Sequence, residues 1–222
     1  MPAASRRRRP PPPPTTEAGA VPIYAIDGVV PVIEAGAFVH PQATLIGDVV
    51  IEAGCYVAPG ASLRGDMGRI VLRRGSNVQD NCIVHCFPGM DMSIGPAGHV
   101  GHGAVLHGCT VGPEALIGIS AVVMDEATIG EAAFVAAMAF VKAGMKVEPR
   151  TLVAGIPARP VRALSEAEME WKRRATATYQ ELAARSLATL RPAEALRALE
   201  PGRPKVMAGD TPSLHAAKKT AE

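Results

Sequence analysis

From Val39 an aliphatic residue returns every six positions: Val39, Leu45, Ile51, Val57 and Leu63. After a three-residue insertion the series resumes at Leu72, Val78 and Val84, and after a four-residue insertion at Ile94, Val100 and Leu106. One position is then dropped, and the series continues through Val111, Ile117, Val123, Ile129, Val135, Val141, Val147 and Val153. Four residues after most of these aliphatics stands a small or β-branched residue, among them Ala43, Cys55, Ala61, Ser76, Ala104, Thr110, Ala115, Ala121, Ala133 and Thr151. A helix repeats every 3.6 residues and a strand every two, so neither produces a period of six. A triangular solenoid does. Each hexad supplies a short strand and a turn, the aliphatic points inward, and the small residue fits the crowded corner. Three hexads close one coil, and coils stack about 4.8 Å apart, each burying its neighbour's core. The expected fold is an all-β left-handed parallel β-helix over residues 21–163.

Composition agrees. Only eight aromatic residues occur (Phe 4, Tyr 3, Trp 1), against 22 Gly and 20 Pro, whereas an ordinary helical or α/β core of 222 residues would carry more rings. A formal charge of +2 points to neither nucleic acid nor a membrane surface as partner. No apolar run reaches the roughly 18 residues that a spanning helix needs. The opening MPAASRRRRPPPPPTTEAGA has a basic start but no apolar h-region, so residues 1–20 read as a disordered tail, with a mis-chosen start codon or a basic docking arm as alternatives. Cys55, Cys82, Cys86 and Cys109 form no CxxC pair and read as reduced thiols in a cytoplasmic protein.

Near Leu164 the period breaks. Ser165 and Glu168 have the spacing of a capping box. Trp171, Ala175, Thr178, Tyr179 and Leu182 then recur at helical spacing, so a helical segment is expected over 164–200. It would run to Arg191-Pro192, with a short further turn in PAEALRALE, pack along the β-helix and close its open coil. Residues 201–222, with Lys218 and Lys219, read as a mobile tail.

The hexad register converts spacing into geometry. His85 and His107 each follow an inward aliphatic, Val84 and Leu106, which lie three hexads apart and hence on one face in successive coils. Arg64, after Leu63, belongs to the same column. His102 lies one hexad before His107, on another face, where one chain cannot easily bring it to the same ion. A threefold trimer removes the difficulty: prisms packed side by side let His102 of one subunit join His85 and His107 of the next. Gln79 and Asp80, one coil before His102, come to the same interface. Three neutral imidazoles leave a tetrahedral zinc one open position for water, whose pKa falls to about 7. His40, His99 and His215 lack such partners and read as surface residues, with His99 standing near the ligands.

The motifs LRGD (63–66), SNVQDNCIVHC (76–86), HVGHGAVLHGC (99–109) and AGIPARPVR (154–162) resemble the γ-class carbonic anhydrases. The resemblance implies a homotrimer with Zn²⁺, or Fe²⁺ or Co²⁺, at the subunit interfaces, and His85, His102 and His107 as its ligands. It also implies that Gln79 hydrogen-bonds the metal-bound hydroxide and that Arg64, Asp66, Asn77 and Asp80 form an interface network. The match through the segment 163–187 is similar to the PaaY-like and CaiE-like hexapeptide-repeat proteins, associated with phenylacetate and carnitine metabolism. The PaaY-like resemblance implies hydrolysis of CoA thioesters beside CO₂ hydration to bicarbonate. The chain departs from the archaeal members in its loop CFPGMDMS (86–93) and in Met67: Asp91 is the only acid expected near, so a proton shuttle is lacking. Tyr179 reads as a packing residue, with reach toward a neighbouring site as the other reading. Two further functions stay open: a CoA-dependent hexapeptide acyltransferase with a single histidine base, and a catalytically silent structural trimer.

Overall fold

A computed structural model describes residues 21–206 together with 211, 212, 214 and 216. The Arg/Pro tail, His215 and the Lys218-Lys219 pair lie outside the described residues. The chain winds into a left-handed parallel β-solenoid of triangular section. Seven short strands stack on the first wall: Phe38–Val39, Tyr56–Val57, Asn77–Val78, His99–Val100, Leu116–Ile117, Phe134–Val135 and Thr151–Gly155. The second wall carries Ile83–His85, Val105–His107, Val122–Val123 and Phe140–Val141. The third carries Met92–Ile94, Thr110–Val111, Thr128–Ile129 and Lys146–Val147. The two long strands Thr44–Ile51 and Ser62–Leu72 run across the corner between the second and third walls, each pairing on both. The three-residue insertion after Leu63 is absorbed in this continuous 11-residue strand.

Every aliphatic of the six-residue series is buried, from Val39 to Val153. They form one cluster with the corner residues Ala43, Cys55, Ala61, Cys82, Ala104 and Ala121. Thr110 departs from the expectation. It is exposed, and Cys109, 1% exposed, takes the corner because the dropped position pulls the buried site back by one. Between strands the backbone repeatedly enters the left-handed region, as at Glu114 (φ 53) and Ser120 (φ 56), which turns the chain sharply into the next wall.

The last coil is closed by a strand, not by the helix: Ala158–Ala163 folds back antiparallel on Thr151–Gly155. The C-terminal helix then runs over Glu166–Thr189 along the first wall. Its course takes it back toward the early coils, Met169 meeting Phe134 and Ala183 meeting Phe38 and Tyr56. The helix expected to run to Arg191-Pro192 ends at Thr189, and PAEALRALE carries no helical turn. Leu190 is extended (φ −66, ψ 124), and Pro192 lacks the N–H that a continuing helix would use. The buried face also differs. Met169, Lys172, Thr176 and Ala183 are inside, while Trp171, Ala175, Thr178, Tyr179 and Leu182 flank them half-buried. Among the described residues no helix is long and apolar enough to cross a membrane.

Candidate metal centre

His85 and His107 pair in register on adjacent coils of the second wall. Their facing atoms, His85 Nδ1 and His107 Nε2, are 3.1 Å apart. The far nitrogen of each ring rests on a carboxylate: His85 Nε2 donates to Asp66 Oδ1 at 3.1 Å and His107 Nδ1 to Asp125 Oδ1 at 2.5 Å. A neutral imidazole carries one N–H, so these bonds leave a lone pair on each facing nitrogen. Two lone pairs at 3.1 Å repel unless a cation lies between or beside them. Two imidazoles on one tetrahedral zinc at about 2.05 Å would stand roughly 3.3 Å apart, close to this spacing. The donor set therefore fits a divalent ion.

Asp66 also receives Arg64 Nη1 at 2.8 Å. Burial opposes its ionisation, but the Arg64 and His85 hydrogen bonds outweigh burial and hold the carboxyl below its ordinary value. Phe87, at the start of the loop after His85, meets His107 edge-on with ring centroids 4.8 Å apart and covers one side of the pair.

His102 stands beyond the strand His99–Val100, near the corner leading to the second wall. Its Nδ1 is 2.7 Å from Asp80 Oδ2, so Nε2 keeps its lone pair, and the ring is about half exposed. All three histidines are thus oriented by a carboxylate on one nitrogen, the arrangement that fixes tautomers in metal sites. Within one chain, no three His, Cys, Asp or Glu of the described residues converge on a point. His85 and His107 are brought together, and His102 is not.

The remaining expected residues divide. Asp80 reaches His102, but Gln79 and Asn77 turn beneath the helix. Gln79 Nε2 lies 3.1 Å from Asn77 Oδ1 and 2.7 Å from His99 Nε2. His99 is therefore no surface residue. It is buried under the helix, 3.2 Å from Thr176 Oγ1, with Tyr179 packed edge-on at 5.3 Å. Burial, with the nearby Lys172 charge, pushes its pKa down to about 3. Tyr179 packs between Tyr56 and His99, and burial raises its phenol to about 12. Asp91 accepts from the Arg69 backbone, and Asp125 is the acid bonded to His107. Asp125 lies 18 residues after His107, one coil on, a spacing that would have flagged it. Burial raises all four thiols, Cys82 to about 11 and Cys109 to about 12.

The fold is that of the hexapeptide-repeat proteins, and a family model described as bacterial transferase hexapeptide (six repeats) matches residues 31–65. Over 183 residues, 82% of this chain and 93% of the relative, the sequence is 50% identical to carnitine operon protein CaiE of Escherichia coli (strain K12). The chain belongs to the family of CaiE-like hexapeptide-repeat proteins. Among solved structures, a Bacillus cereus protein provisionally named an acetyltransferase is similar with a TM-score of 0.74 and 32% identity, covering 75% of this chain and 98% of that one. A hexapeptide transferase family protein from Anaplasma phagocytophilum gives 0.71 and 34%, covering 73% and 96%.

Proposed function

We propose that the chain assembles as a trimer in which His102 of one subunit joins His85 and His107 of the next around a divalent ion, and that the site works as a γ-class carbonic-anhydrase-like hydratase or thioester hydrolase. The observation that carries this reading is the facing pair of ring nitrogens on His85 and His107, 3.1 Å apart, with the other nitrogen of each ring bonded to a carboxylate. Assembly has independent support. The outward residues Ile83, Val105, Val122 and Phe140 are register neighbours, an apolar ladder down the histidine-bearing wall, and Ile83 is 51% exposed. A solvated wall would alternate with polar residues outward, as the third wall does with Ser93, Thr110, Thr128 and Lys146. A second copy of the chain covers such a ladder.

A bound Zn²⁺, Fe²⁺ or Co²⁺ would supply Lewis acidity and water of lowered pKa, chemistry that serves CO₂ and thioester carbonyls alike. The chain's own residues do the rest. Asp66, Asp125 and Asp80 fix which nitrogen of each ring offers its lone pair. Asn77 and His99 hold the Gln79 carboxamide beside the corner that carries His102, where it can hydrogen-bond a reacting oxygen. Phe87 limits water on the His107 side.

The expected result is bound metal near one ion per chain in the native protein and its loss in His85→Ala, read by elemental analysis. CO₂ hydration and acyl-CoA hydrolysis by the metal-replete protein should fall together in the same variant. The acetyltransferase-like structural relatives favour a second reading, acyl transfer from CoA with a histidine base. Unchanged metal content in His85→Ala with CoA-dependent transfer intact would select that reading instead.

A further inference from the structure

Between the helix Glu166–Thr189 and the first wall lies a trough of about 360 Å³ beside His102. Its floor falls where the chain has no side chain to offer. Gly101 and Gly118 occupy the position after the inward residues Val100 and Ile117. A Cβ at Gly118 would stand 2.4 Å from the Ala137 nitrogen, and one at Gly101 2.9 Å from the Ile119 nitrogen. Coil stacking therefore keeps the floor bare. Phe134 and Leu152 of the wall face Trp171 and Ala175 of the helix across it. The helix is seated along one face, by Met169 on Phe134, Lys172 on the Ala97 carbonyl, Thr176 on His99 and Ala183 on Tyr56, which leaves the flank with Trp171 and Ala175 to line the trough.

Polar groups gather at one end only, where Gln79, His99 and His102 line the trough. Each has a protein partner already, Gln79 and His99 with one another and His102 with Asp80. An apolar body with a few convergent polar groups, on the scale of roughly 300–1,000 Å³, is the form of a small-molecule pocket. A triatomic substrate such as CO₂ needs none of it.

We propose that this trough is an acyl subsite, receiving the apolar chain or aromatic ring of a carbonyl substrate whose reactive carbonyl lies at the His102 end. It rests on the metal-centre reading for where reaction occurs, but not for the binding itself. The committed occupant is an apolar acyl group of about six carbons or one ring.

The test uses the full-length, metal-replete protein and 4-nitrophenyl esters of acetic, butyric and hexanoic acid. Water adds to the ester carbonyl carbon, the bond to the nitrophenyl oxygen breaks, and nitrophenolate leaves with the carboxylic acid as the other product. A fully buried methylene is worth about fourfold in affinity, so partial burial of four methylenes should raise kcat/KM at least about tenfold from acetate to hexanoate. Ala175→Phe fills the trough from the helix and Ile119→Phe from the corner. Each should bring the hexanoate-to-acetate ratio close to one with metal content unchanged. The chain's single tryptophan, Trp171, lines the trough and reports occupancy directly. Titration with hexanoate should change its fluorescence saturably, and Ala175→Phe should remove the response.

A flat chain-length profile with silent Trp171 fluorescence would overturn the proposal, whether the trough stays empty or a second copy of the chain fills it. So would a ratio that survives both filling variants. The two readings fail separately. Metal retained in His102→Ala would sink the metal centre while the Trp171 titration still decides the trough.

Discussion

Each histidine of the candidate centre is paired with a different acid, and the acids come from different coils. Asp66 belongs to the coil before His85, Asp80 to the coil before His102, and Asp125 to the coil after His107. Asp125→Asn keeps the shape but no longer obliges His107 to place its proton on Nδ1. Metal affinity should fall about 10- to 100-fold, read by competition with a chelating dye. Two buried titratable groups add pH signatures. His99 is held neutral down to about 3, below its ordinary 6.5, so the unfolded chain binds the extra proton in that window. Stability from this residue is present above 6.5 and lost as pH falls toward 3. Denaturant titrations of His99→Gln should show a smaller acid loss than wild type. Lys172 has the same sign in a higher pH window. Burial lowers its amine to about 8, with Arg173 adding and Glu114 opposing, and its Nζ donates to the Ala97 carbonyl. The cost of burying the charge is full below about 8 and relieved as pH rises to 10.5, so wild type should gain stability across that interval and Lys172→Met should not. At this scale the sequence register was enough to place His85 opposite His107. It could not show that His99 is buried, because an outward position on a wall looks solvated until the helix covering that wall is known. Asp125 lies in the coil after His107, outside the motifs that carry the resemblance, so only the 18-residue coil spacing points to it.

At the scale of elements, the helix start was legible and its face was not. The Ser165 hydroxyl accepts the Glu168 N–H and Glu168 reaches back to the Ser165 N–H, while Arg162 grips the Glu168 carboxylate with two bonds of 2.8 Å. Ser165→Ala should lower stability by about 1 kcal/mol in denaturant unfolding, the usual loss for an N-cap. Trp171, Ala175 and Leu182, at helical spacing in the sequence, each stand one residue before the buried Lys172, Thr176 and Ala183. Here the helix seats polar side chains, Lys172 on a carbonyl and Thr176 on His99, and leaves the apolar flank to the trough. Hydrophobic periodicity cannot find a face that is held by hydrogen bonds. The strands show the opposite case. Inward aliphatics at six-residue spacing match burial without exception, because stacking makes each coil repeat its neighbour's steric demands.

For the whole molecule, the solenoid stacks its coils along one axis, and the helix covers only the first wall. The apolar ladder Ile83, Val105, Val122 and Phe140 remains on the second. Val105→Glu would place a charge at the centre of that ladder. Sedimentation should then show dissociation to monomers, with metal lost in step. Subunit exchange tests the central claim most directly. His102→Ala and His85→Ala are prepared separately, each expected to be metal-free, then co-refolded in equal amounts and analysed for zinc. If His102 and the His85–His107 pair come from neighbouring subunits, random mixing restores roughly a quarter of the wild-type metal at the interfaces where intact partners meet. Zinc that stays absent from the co-refolded trimers would contradict the account.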